Sequence, residues 1–235
     1  KDRVSTTGIC NFPSHMGSLN YGYASVGGWR RISPKLYNQI PESDVRKGWF
    51  LDDTGVSVNL PAAAQAYITK KGAPVYTQVK YGPMNDEWGS NNNATDVILM
   101  RVEEMYLIEA EAAGMQDESR GIALLTTFAK SRDTSYTYGK HNESYGNPAN
   151  SAFQNEVWWQ RRIELWGEGF ATFDIKRLNK GVIRSYPNTN HVEKFRWNST
   201  TPPDWMNLCI VQSETNYNTA CTNNPTPIAP TTDSD

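Results

Sequence analysis

The sequence has little of what usually announces a chemistry. Its three cysteines, Cys10, Cys209 and Cys221, form no CxxC pair, and its three histidines, His15, His141 and His191, are too scattered for an HxxH or HExxH zinc pattern. Cys209 and Cys221 either close a short disulfide loop or stand as free thiols. No histidine or second cysteine stands beside any of the three in a pattern that would activate a thiol. The chain has no G-x-S-x-G, Walker loop or G-x-G-x-x-G, and Asp52-Asp53-Thr54-Gly55 is only a faint likeness of a calcium loop. No cofactor, metal centre or catalytic residue is therefore expected. No apolar run reaches the roughly 18 residues of a bilayer span. A formal charge of −2 leaves no basic footprint for nucleic acid or for an anionic membrane. The opening residues Lys1-Asp2-Arg3-Val4 offer neither an apolar segment, a small-residue cleavage site nor a lipidation cysteine, so no signal peptide is expected here.

Aromatics and turn formers are plentiful. Aromatic residues make up 11% of the chain against 38% hydrophobic in all, a mixture suited to an extracytoplasmic protein with long polar loops and aromatic contact surfaces, and also to any loop-rich globule. Residues 1–95 are irregular, with short helical patches expected at 35–40, 42–49 and 62–67 and a strand at 75–80. Residues 96–180 are organised. A helix, with Asp96 as a plausible N-cap or with the chain extended as far as Met100, is expected to stop at Gly114, and a second to run from about Asp117 to Lys130. After a polar loop a third starts near Ser151, and Gly167 and Gly169 divide it from a fourth, Phe170–Asn179. These are two helix-turn-helix pairs of roughly tetratricopeptide length. Residues 181–235 revert to proline-rich coil, disordered by composition over the last ten. The fold class expected is mainly α.

The densest chemistry lies in Trp158-Trp159-Gln160-Arg161-Arg162-Ile163-Glu164-Leu165-Trp166-Gly167-Glu168-Gly169. Glu164 and Glu168 are four residues apart, and Asp174 and Arg177 three apart, so Arg162, Glu164, Glu168, Asp174 and Arg177 are expected to form buried ion pairs at a helix junction rather than a catalytic group. The three tryptophans are assigned to helix packing. Glu103, Glu104, Glu109 and Glu111 alternate with core positions, which fits an ion-paired helix face better than a glycosidase acid pair.

Four stretches, in order, resemble the SusD/RagB family of surface nutrient-binding lipoproteins. They are Leu36-Tyr37-Asn38-Gln39-Ile40-Pro41 with Asp44-Val45-Arg46, Ile98 to Ala112, Gln160 to Gly169 with Asp174 to Leu178, and Gln212 to Asn218. The second and third are the specific ones. The resemblance implies a SusD-like α/α superhelix of tetratricopeptide-like helix pairs with a large loop-rich region, of which this chain would be the C-terminal half. It implies non-catalytic capture of an oligosaccharide or polysaccharide at the outer-membrane surface. It also implies a SusC-like TonB-dependent transporter as partner and a membrane tether through an N-terminal lipid anchor not present in this chain. Sugar rings stack on aromatic faces while their hydroxyls need polar neighbours. Context in the loop-rich part, rather than a motif, therefore selects His15, Asn20, Tyr21, Tyr23, Trp29, Trp88 and Asn91 as candidate ligand-binding residues. Trp29, before Arg30-Arg31, has core packing as its plainer reading. The other functions open to this sequence are a tetratricopeptide-type protein-interaction scaffold and a glycoside hydrolase.

Overall fold

Local chemistry starts most of the helices. Ser33 accepts from the Leu36 amide ahead of Pro34, giving α2 (Pro34–Tyr37) both a cap and a proline at its first position. The Asp117 carboxylate accepts from the Ser119 and Arg120 amides at 3.0 and 3.3 Å, starting α5 (Glu118–Lys130). Ser151 and Gln154 exchange side-chain-to-backbone hydrogen bonds in a capping box that opens α6 (Ala152–Glu164). The remaining helices are α1 (Phe12–Met16), α3 (Ala62–Lys70), α4 (Val102–Gln116), α7 (Phe170–Arg177) and α8 (Gln212–Thr215). The computed structural model describes residues 12–90, 98–208 and 210–222, and among them there is no named β-strand. The Asp96 cap, Asn91, Cys10, Cys209 and the final prolines lie outside the described residues. Cys221 is a partly buried free thiol. No described helix is long and apolar enough to cross a membrane.

The described residues fall into two compact units. One holds those up to Ala110 with Ala123–Thr137, and the other holds Glu111–Ile122 with those from Tyr138 onward.

In the first unit α3 turns Ala64 and Ile68 inward to join Leu19, Leu51 and Val79 in a core cluster. The Arg46 guanidinium grips the Asp44 carboxylate with Nε and Nη2, at 2.9 and 2.7 Å, where neither side chain sees solvent. Gln78 is fully buried; its amide donates to Met16 O and Ser18 Oγ and accepts from the Lys80 and Tyr81 amides, tying the 16–20 loop to 78–81. The expected strand at 75–80 does not form. Tyr76 takes φ +66°, which breaks an extended run, and only isolated antiparallel bridges, Arg31 to Thr77 and Phe50 to Gln78, remain.

In the second unit α6 is the buried element: Phe153, Val157, Trp158, Trp159 and Ile163 are all within 3% of fully covered. Tyr145 meets Trp158 edge-on at 4.9 Å, and His141 stacks on Trp159 at 3.6 Å. Two expectations are corrected here. Gly114 does not end α4, which continues to Gln116; a Cβ at Gly114 would strike the Phe153 ring, so this glycine allows close packing rather than a stop. The buried ion-paired arginine is Arg161, bonded to Asp174, and not Arg162. The Arg162 guanidinium lies over the Trp158 and Tyr145 rings, at 4.6 and 4.8 Å, and donates to the Tyr145 hydroxyl. Trp166 is partly exposed rather than buried like its two neighbours.

Candidate functional site

The loop after α1 carries two exposed aromatics, Tyr21 and Tyr23. Backbone bonds pin it at both ends: at its start from Tyr21 N to Ser90 O at 3.2 Å and from Gly89 N to Leu19 O at 2.8 Å, and at its far end from Gln78 N to Arg30 O at 2.9 Å. The Ser14 hydroxyl accepts from Tyr23 N, and Gly22 lies so close to Ser14 that a Cβ would meet its Oγ at 2.6 Å. On this frame Tyr21 and Tyr23 stand 49% and 48% exposed. The His15 ring lies 5.2 Å from that of Tyr23, and the Arg30 guanidinium 5.9 Å from the same ring while donating to Gly28 O. An aromatic face, a guanidinium and an imidazole thus share one small surface. Asn20, next in the chain, is 1% exposed, and among the described residues neither atom of its side-chain amide has a hydrogen-bond partner. Such an amide is costly to bury unpaired, by about 1–3 kcal/mol, and is one a ligand could satisfy.

The remaining sequence-selected residues divide. Trp29 and Trp88 are half-buried and pack against the Leu19–Leu51–Ala64–Ile68–Val79 cluster. The structure thus brings His15 and Tyr23 together, with Asn20 and Tyr21 just before Tyr23 in the chain, while the two tryptophans pack against the core.

A second feature of the same unit escaped the sequence reading. A cavity of about 450 Å³ has Tyr37, Phe50 and Tyr76 as aromatic walls and Glu42, Asp52 and Asp53 among its acidic lining. Tyr37 and Tyr76 meet edge-on at 5.2 Å. Burial, with Asp52, Glu42 and Asp53 nearby, pushes the Tyr37 hydroxyl up to about 12. Burial also pushes the Asp52 carboxyl up, but the Thr54 hydroxyl and the Val56 and Thr54 amides outweigh it and hold the group below the usual carboxylate range. The acidic turn Asp52-Asp53-Thr54-Gly55 and the stretch Leu36–Pro41 with Asp44-Val45-Arg46 were the sequence features that fall here, though neither was read as a cavity. Among the described residues no three His, Cys, Asp or Glu side chains converge as a metal-binding group.

Three carboxylates of the helical part are engaged in ion pairs. Glu103 pairs with Arg101 and Arg132, and Glu111 and Asp174 both pair with Arg177.

Comparison with known proteins places this geometry. No curated protein matches the chain. Among solved structures, it is similar to a SusD-like carbohydrate binding protein from Bacteroides vulgatus ATCC 8482, at 25% identity and a TM-score of 0.49, covering 74% of this chain and 32% of that one. It is also similar to a SusD superfamily protein from Bacteroides thetaiotaomicron VPI-5482, at 25% identity and a TM-score of 0.55, covering 82% of this chain and 39% of that one. The chain thus spans well under half the length of the structures it matches. The model of the SusD family matches residues 34–226, a range that starts after Tyr21–Trp29 and includes the Tyr37–Tyr76 cavity and both helix pairs. A match over that much of the sequence, with the mainly helical fold to go with it, establishes that the chain belongs to the SusD family.

Proposed function

We propose that this chain is the carbohydrate-binding part of a cell-surface nutrient receptor. It captures an oligosaccharide without chemical change and hands it to a SusC-like TonB-dependent transporter, in a protein tethered to the outer membrane by an N-terminal lipid. Support comes from membership in the SusD family and from the likeness to a SusD superfamily structure. The observation that carries the reading is the pair Tyr21 and Tyr23, each half-exposed on a loop fixed by backbone bonds at both ends. Rigid aromatic faces beside polar groups provide contact area at low entropic cost.

Affinity gels loaded with a panel of polysaccharides test the proposal. Retention on one of them, lost in Tyr23→Ala while the fold persists, is the expected result. Release of reducing sugar from that polysaccharide would instead make the protein an enzyme.

A protein-interaction scaffold has one observation in its favour. The first-unit part of α4 exposes Val102, Met105, Tyr106 and Ile108, an apolar face of the kind that docks other proteins. Retention on no glycan, with partner capture lost in Tyr106→Glu, would favour that reading.

A further inference from the structure

We propose that the Tyr37–Tyr76 cavity is a separate sugar subsite, and that it accepts a residue carrying a protonated amine. The proposal rests on the carbohydrate-binding reading and adds to it a place and a ligand charge. All of the lining belongs to the first unit, and the volume of about 450 Å³ falls in the range of small-molecule pockets, far above what a bare ion fills.

Charge selects the ligand. The lining has four carboxylates, Glu42, Asp44, Asp52 and Asp53, against the single ammonium of Lys47, a formal −3. Two of the four are already neutralised: Asp44 by the buried Arg46, and Glu42 by Lys47. Asp52 and Asp53 have no cation paired with them among the described residues. Asp52 commits Oδ1 to Thr54 and Val56, at 2.7–2.9 Å, which leaves its second oxygen for a donor from outside. Asp53 is exposed at the rim, and its carboxylate makes no hydrogen bond or ion pair among the described residues.

The aromatic wall fits the same ligand. Tyr37 is 7% exposed, and its hydroxyl has no hydrogen-bond partner among the described residues, although it lies within the field of all three nearby carboxylates. A phenol held protonated there donates to a sugar oxygen. Lys47 shows how this wall receives an ammonium: its Nζ bonds to Glu42 and lies 5.1 Å from the Tyr37 ring centre. Tyr76 holds the left-handed φ of +66° that bulky side chains rarely take, fixed by backbone bonds from Tyr76 N to Leu51 O and from Ile32 N to Tyr76 O. Backbone strain locked in by distant parts of the chain gathers at ligand sites. Exposed Asn38 and Ser43 complete the edge with groups suited to hydroxyls.

Calorimetric titration of the full chain with a β-1,4-linked glucosamine hexamer, beside its N-acetylated counterpart, decides the matter. The expected result is that the amine form binds about tenfold tighter, or more, than the acetylated form. Asp53→Asn should remove most of that preference, as should added salt. Asp53 is exposed, so this variant keeps its fold; the isosteric Tyr37→Phe, checked by circular dichroism, should weaken binding as well. Equal affinity for the two oligomers, or an unchanged preference in Asp53→Asn, would overturn the proposal. So would a lysyl tripeptide that binds as tightly with the same Asp53 dependence, because the amine would then not be read as part of a sugar. Tyr23-dependent retention on a neutral polysaccharide with no amine preference sinks the cavity and leaves the carbohydrate-binding reading intact. Asp53-dependent glucosamine binding with no Tyr23-dependent retention upholds the cavity and removes the tyrosine loop.

Discussion

Arg161 Nε donates to both carboxylate oxygens of Asp174, at 3.1 and 2.8 Å, with 6% and 4% of the two side chains exposed. Asp174 also accepts from Arg177, whose other nitrogens reach Glu111 at 2.5 and 2.9 Å. The chain of charges Arg161–Asp174–Arg177–Glu111 thus ties α6, α7 and the end of α4 together within the second unit. Burial pulls the Arg177 guanidinium down, but its bonds to Glu111 and Asp174 outweigh that and raise it. Removing one member of a buried pair leaves the other unpaired in low dielectric. Arg161→Ala is therefore expected to lose about 3–5 kcal/mol of stability. Arg162→Ala loses stacking and one charge-assisted hydrogen bond to the Tyr145 hydroxyl but strands no carboxylate, and is expected to cost about 1.5–3 kcal/mol. Urea denaturation of both variants checks the order; a larger loss for Arg162→Ala would reverse the assignment.

These neighbouring arginines show where sequence reading stops. Spacing along the helix announced a paired arginine in this stretch, but two adjacent residues point about 100° apart, and only the position of Asp174 on the next helix tells which is paired. Local chemistry was legible: Ser151 and Asp117 start the helices the sequence assigned to them, because a cap is made within three residues. Nonlocal chemistry was not. Gly114 looked like a stop because its partner, Phe153, lies far along the chain. The cavity draws Tyr37, Asp53 and Tyr76 from separate segments, and no period or motif joins them. The exposed tyrosine loop was read from its context in the sequence, which offered core packing as the plainer reading of Trp29 but could not tell that Trp88 packs there too.

Gly121 tests the close packing in the second unit. A Cβ there would meet the Gly114 backbone and, at 2.7 Å, the Phe153 ring tip. Alanine gains up to about 1 kcal/mol in helix propensity, but neither backbone nor a buried ring yields cheaply, so Gly121→Ala is expected to lose a net 1–3 kcal/mol or so. A melting temperature at or above that of the parent would show that this space is not needed.

Lys180 makes stability depend on pH. It is fully buried, and its Nζ donates to Asn155 Oδ1 and to the carbonyls of Ser144 and Glu143, 5.0 Å from the Trp158 ring centre. Burial, then Arg162, pulls it from an ordinary 10.5 down to about 8. Between these values the unfolded chain holds the proton and the folded chain has released it, so this group's contribution to stability rises with pH from about 8. The free-energy difference between the parent and Lys180→Met should therefore grow from pH 7.5 to 9.5. A difference that is flat across that interval would mean the lysine keeps an ordinary proton affinity.

Tyr23 and Trp88 separate binding from folding. Tyr23 is 48% exposed and touches mainly His15 and Gly28, so Tyr23→Ala is expected to cost less than about 1 kcal/mol while abolishing retention on the recognised glycan. Trp88 packs against the first unit's core cluster. Its truncation is expected to cost about 2–3 kcal/mol, below the 3–5 kcal/mol of a fully buried tryptophan because part of the ring already meets water. Any loss of retention in Trp88→Ala should then follow the loss of folded protein and return when the variant is assayed at low temperature. Matched denaturation curves and affinity gels read both quantities. A Trp88→Ala protein that is as stable as its parent yet fails to bind would move the tryptophan from the core to the ligand face.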